Sequence, residues 1–111
     1  MVRSYFDGIY NGNVDLLRSS FKENAYIYGD VGGKPYAKSL EEYLGGVISR
    51  KSPRELGEPN QMEILGIEIL GQVALAKVHL PMLGFNYYDY LSLCVIEGEW
   101  KIVNKVFSHV A

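Results

Sequence analysis

With Cys94 as its only cysteine among 111 residues, the chain can form no internal disulfide, and a reducing, cytoplasmic setting is expected. No apolar run approaches the ~20 residues needed to cross a bilayer, so no membrane partner is expected. The opening stretch MVRSYFDGIYNGN lacks the unbroken apolar segment of a signal peptide. Charge of one sign is not in excess either. The formal net charge is −2 and the eleven Lys and Arg are spread along the chain, which argues against nucleic acid as a main partner. His79 and His109 stand apart from any second ligand at metal-binding spacing, so zinc has no obvious site. There is no nucleophile elbow and no phosphate-binding glycine loop, and no cofactor is expected.

What remains is an ordinary globular composition, 48% apolar and 22% charged, of a length that makes one domain over residues 1–111. Nine tyrosines are the compositional oddity. Each brings flat apolar area with a polar tip, suited to lining a cavity or an interface.

Helical spacing comes first along the chain. Val2, Phe6, Ile9 and Tyr10 share a face that Gly12 would terminate. Asn13 can cap a second, short helix with Leu16, Leu17 and Phe21 inward. Ser39 and Glu42 have capping-box spacing ahead of Leu40, Tyr43, Leu44, Val47 and Ile48. Between the second and third helices, AYIYGDVGGKPYA predicts two short strands around Gly32-Gly33. Two prolines and Gly57 mark residues 50–60 as a loop.

The period then changes to two. Residues 61–70, 73–82, 85–96 and 99–109 read as an antiparallel meander turning at Gly71-Gln72, Leu83-Gly84 and Glu97-Gly98. A regular hairpin at Glu97-Gly98 would set Val95 against Trp100, Leu93 against Ile102, Leu91 against Asn104 and Asp89 against Val106. On that register Asp89 and Asn104 are polar interruptions of an otherwise apolar inner face. Leu65, Ile67 and Ile69 would share that face with Ala74, Ala76, Val78 and Leu80. The outer face would gather Glu68, Lys77, His79, Lys101, Lys105 and an aromatic-rich patch of Tyr88, Tyr90, Val103 and Phe107. A fully solvated face does not need those apolar residues, so a homodimer contact is expected there.

The stretches YFDGIYNGNVDLLRSSFKENA, GQVALAKV and DYLSLCVIEGEWKIVNKVF resemble the nuclear transport factor 2-like superfamily of cone-shaped α+β domains. Within it the chain is most similar to the group described as putative lumazine-binding, relatives of the SnoaL-like polyketide cyclases. These pieces cover nearly the whole chain, although members of the group usually carry a few more residues before the first helix. The resemblance implies three N-terminal helices packed on a curved, mainly antiparallel sheet, with a pocket at the open end of the cone.

Such a pocket would be walled by Asp89, Asn104 and Leu91, with Tyr5, Tyr10, Tyr28 and Tyr43 as polar-tipped candidates from the surrounding elements and Trp100 as an aromatic anchor. The expected function is binding of a small molecule. Two other readings stay open. Relatives such as ketosteroid isomerases and scytalone dehydratases move protons with cavity carboxylates, tyrosines or histidines, which would make Asp89 the general acid or base of a cyclase, isomerase or dehydratase. Alternatively the chain is a non-catalytic protein-interaction module, with Asp89 only fixing a strand end. Asp30, beside Val31-Gly32-Gly33, reads as a turn residue. Cys94 alternates to the outer face with no basic partner in view.

Overall fold

The computed structural model describes residues 1–111. Helix α1 (Val2–Asn11) buries Val2, Tyr5, Phe6 and Ile9 on one stripe and ends at Gly12, whose φ of 66° provides the left-handed cap. Helix α2 (Val14–Ser20) begins where the Asn13 side chain accepts from the Leu16 amide. Phe21, expected on that helix, instead opens strand β1 (Phe21–Val31) and is buried there. Strand β2 (Lys34–Ser39) returns antiparallel across Gly32-Gly33, both with positive φ. Ser39 and Glu42 form the full capping box of helix α3 (Leu40–Ser49), which buries Leu40, Tyr43, Leu44 and Val47. Ile48, expected on the same stripe, faces solvent.

The meander follows as β3 (Glu63–Leu70), β4 (Val73–Met82), β5 (Phe85–Ile96) and β6 (Glu99–His109). The tight turns are where expected. Leu83-Gly84 and Glu97-Gly98 each have both residues at positive φ, as a two-residue turn between right-twisted strands requires. All six strands make one sheet in the order β2-β1-β6-β5-β4-β3.

The β1–β2 hairpin separates α2 from α3, as AYIYGDVGGKPYA predicts, so the three helices do not form the single N-terminal block that the resemblance implies. The sheet is mainly antiparallel, as expected, but mixed, because β1 pairs parallel with β6 while every other neighbour is antiparallel. The hairpin thereby extends the meander, and the three helices cover one face.

A departure from the expected register decides the site. The β5–β6 ladder keeps Val95 against Trp100 and Leu93 against Ile102, then slips by one residue. Ser92 pairs with Asn104, Leu91 with Lys105 and Asp89 with Phe107, leaving Val103 as the extra residue of a bulge. Side chains alternate with period two, so one inserted residue exchanges the faces beyond it. Lys105 and Phe107 are buried inward, whereas Asn104 and Val106 turn outward. The β3–β4 ladder slips in the same way between Ile64 and Gly66, setting Ile64 against Val78 in place of Leu65. Leu65 consequently joins the exposed residues.

Candidate functional site

The inner face of β5 and β6 delivers Asp89 and Lys105 to the same buried region. Asp89 is 2% and Lys105 6% exposed, which is rare for charges unless they are partnered. Tyr5, fully buried on α1, donates its hydroxyl to Asp89 Oδ2 at 2.6 Å. Lys105 Nζ donates to the Tyr43 hydroxyl of α3 at 3.1 Å and stands 3.9 Å from Asp89 Oδ2. The rings of Tyr43, Phe107 and Tyr5 surround the same ammonium at 4.6, 5.1 and 5.3 Å. Their negative faces compensate part of its lost hydration.

Burial is the dominant influence on the Asp89 carboxyl and pushes its pKa up; the Lys105 charge and the Tyr5 hydrogen bond pull it back only in part. Burial, then the Asp89 charge, holds the Tyr5 phenol well above its ordinary range, so Tyr5 acts as a proton-bearing donor. Tyr36 is pushed up to about 12, chiefly by burial, and burial also raises Tyr87. A carboxyl with a raised pKa beside un-ionised hydroxyls and one ammonium can exchange a proton and can support developing negative charge on a ligand oxygen.

These groups face a cavity of about 60 Å³ walled by Asp89, Lys105, Tyr43, Tyr36, Tyr87, Phe107, Val31, Leu80, Met82 and Arg50. The half-exposed Val31, Tyr36, Tyr87 and Arg50 form its outer end. The volume is well below the ~300 Å³ at which ordinary ligand pockets begin, and suits waters or a ligand of few heavy atoms. A larger occupant requires the rim side chains to move.

Of the residues expected at the pocket, Asp89 and Tyr43 line it, and Tyr5 reaches it through Asp89. Leu91 is fully buried in the adjoining core. Asn104 is a correction: the bulge turns it outward, where its amide donates to the Tyr26 carbonyl at 3.3 Å. Tyr28 is 50% exposed, paired beside Val106. Tyr10 ties the loop after α3, donating to the Glu58 carbonyl at 2.6 Å. Trp100 lies in a separate apolar groove with Val2, Ile67, Ile69 and Leu93. Phe107, expected at an outer dimer contact, is instead a cavity wall.

Lys105, Arg50, Tyr36 and Tyr87 were missed by the sequence reading. A bulge-blind register put Lys105 outside, and Arg50 lies at the edge of what reads as a loop. One signal was available: a lysine flanked by Val103, Val106 and Phe107 is anomalous on either face. Elsewhere, Asp30 serves its turn as expected, accepting from the Gly33 amide at 2.8 Å and from the Ser108 hydroxyl at 2.6 Å. His79 stacks on Tyr88 on the outer face. No helix is long and apolar enough to cross a membrane.

The family model described as Putative lumazine-binding matches residues 1–108. Among solved structures, a nuclear transport factor 2-like protein of unknown function from Methylobacillus flagellatus is similar with a TM-score of 0.87 and 28% identity, covering 99% of this chain and 86% of its own. Another of unknown function, from Shewanella baltica, has a TM-score of 0.85 and 24% identity, covering 99% and 88%. Among curated proteins, Aldolase FrzH from Cladobotryum sp is 24% identical over 109 residues, covering 93% of this chain and 81% of the relative.

Proposed function

For a chain that belongs to the Putative lumazine-binding family of nuclear transport factor 2-like domains, we propose binding of a small, oxygen-bearing molecule in the cavity between the helices and the inner sheet face. The observation that carries this reading is a buried carboxylate and a buried ammonium facing one cavity. Desolvating two charges offsets most of their attraction, and well-packed apolar residues in place of such a pair are often as stable. Stability alone therefore gives little reason to keep the pair, while a ligand with a carbonyl or anionic oxygen would use both members. The family's descriptive name is a poor guide to that ligand, since a bicyclic lumazine needs far more room than about 60 Å³.

Native mass spectrometry of freshly purified protein tests the reading. A retained small molecule that is lost in Asp89→Asn is the expected result. A ligand held equally well by the variant would make Asp89 structural.

A second reading is favoured by the raised pKa of Asp89: a proton-transfer enzyme acting next to a carbonyl group, with Asp89 as acid or base and Lys105 stabilising the resulting oxyanion. The curated relative's name, an aldolase, falls within carbonyl chemistry. Deuterium uptake at the carbon beside a carbonyl, abolished in Asp89→Asn, would support it; equal uptake with the variant would sink it.

We also infer a homodimer through the outer sheet face. Tyr28, Val106 and Tyr90 form one cross-strand row there, 50%, 42% and 49% exposed, with Leu65 and Leu75 nearby. Two such faces packed about a twofold axis would cover the row. Tyr90 and Val106 take the central place that Phe107 was expected to fill.

A further inference from the structure

We propose that Lys105 is the nucleophile of a covalent site for a small oxo acid, condensing through Nζ with the ligand's carbonyl while Arg50 holds its carboxylate. The proposal rests on the cavity being a ligand site and goes beyond it by naming a bond and a ligand class.

Three observations combine. Lys105 Nζ has a single protein hydrogen bond, to Tyr43, and lies on the cavity wall, so it can meet a ligand carbon. The rings of Tyr43, Phe107 and Tyr5 that stabilise its ammonium would equally stabilise a cationic iminium at the same nitrogen. Arg50, half-buried at the cavity's outer end, is engaged by no carboxylate of the chain. An unclaimed guanidinium at the mouth of a small cavity matches a ligand carboxylate by charge and by its planar fork. The volume then limits the ligand to a few heavy atoms, as in the smallest 2-oxo acids.

The chemistry balances within the site. Lys105 passes one proton to the Asp89 carboxylate, across a 3.9 Å separation that a swing of the flexible lysine closes. The freed amine lone pair attacks the carbonyl carbon, and the C=O π pair moves to oxygen. The nitrogen's surplus proton passes to that oxygen, giving a neutral carbinolamine. Asp89 then returns its proton to the hydroxyl, which leaves as water while the nitrogen lone pair forms C=N. Ammonium and ketone have become iminium and water, and Asp89 ends as it began. No oxidant or reductant takes part.

The test uses the full chain with pyruvate and cyanoborohydride, followed by intact-mass measurement and peptide mapping. The reduced adduct is expected on Lys105 in preference to the other six lysines, by at least about tenfold, a modest share of what positioning can supply. Lys105→Arg, which keeps the cation, and Lys105→Met, which keeps the bulk, should both lose it while retaining the native fold by circular dichroism. Arg50→Met should slow trapping of pyruvate more than trapping of neutral hydroxyacetone. Adducts spread over exposed lysines and unchanged in the Lys105 variants would overturn the covalent site. If the purified protein nevertheless retains a small molecule, the cavity reading survives that failure; if it retains none, both fall. Equal slowing of the two probes by Arg50→Met would remove the oxo acid from the assignment.

Discussion

Lys105 and Asp89 meet diagonally across β5 and β6. Leu91 is the direct partner of Lys105 and Phe107 that of Asp89, yet Lys105 Nζ and Asp89 Oδ2 stand 3.9 Å apart in the interior. The extra residue Val103 puts both charges on one face, and helices α1 and α3 supply the hydroxyls that complete the group.

Removing the Tyr5 hydroxyl should expose how much Asp89 depends on it. Tyr5→Phe leaves the packing in place and deletes a 2.6 Å hydrogen bond to a buried carboxylate. A loss of ~1.5–3 kcal/mol is expected in urea unfolding, the usual worth of a hydrogen bond to a charged group. A change within error would mean that Asp89 is satisfied by water.

The pH dependence of Asp89→Asn has a definite sign. The folded-state pKa of Asp89 is raised by burial, so its favourable contribution is present below the unfolded value of ~3.9 and is lost as pH rises through the folded value. Wild type and variant should therefore be most alike near the acid end of the folded range. The variant's Tm should gain on wild type as pH increases above ~4. Differential scanning calorimetry across that range checks this, and a trend of the opposite sign would mean that Lys105 and Tyr5 outweigh desolvation.

Two glycine substitutions should move stability in opposite directions. A Cβ at Gly29 would clash with the Phe107 carbonyl oxygen and lie 2.6 Å from its ring, and the carbonyl belongs to the adjacent strand. Gly29→Ala should cost ~1–3 kcal/mol or more and disturb the Phe107 wall of the cavity. Gly45, on the solvent-facing side of helix α3, has nothing within 4 Å of the added atom. Gly45→Ala should stabilise by ~0.5–1 kcal/mol in denaturant unfolding.

Tyr90 is the residue on which to test the dimer. It is 49% exposed in the outer row beside Val106, so Tyr90→Glu should dissociate the dimer in sedimentation at micromolar concentration without unfolding the chain. Wild-type protein that sediments as a monomer throughout would exclude the interface. Phe107→Glu is unsuited to this test, because Phe107 is buried and the change would place a charge in the core.

Local chemistry written along the chain decides where its elements begin and end. Asn13, the Ser39–Glu42 box and Gly12 set helix ends, and the paired turn residues set strands β4, β5 and β6 at the limits expected from alternation alone. Caps and turns act within a few residues, so they are readable without the fold. Asp89 was legible for the same reason, being on the part of β5 that its own alternation assigns inward. Two residues farther along the partner strand, that logic failed. Whether β6 runs straight or bulges at Val103 depends on the curvature needed to wrap the sheet around three helices and to seat β1 alongside β6, which no short window contains. Tertiary packing alone therefore decided that Lys105 faces inward and Asn104 outward. It also brought Tyr5, Tyr43 and Arg50, distant in sequence, to the same small cavity region.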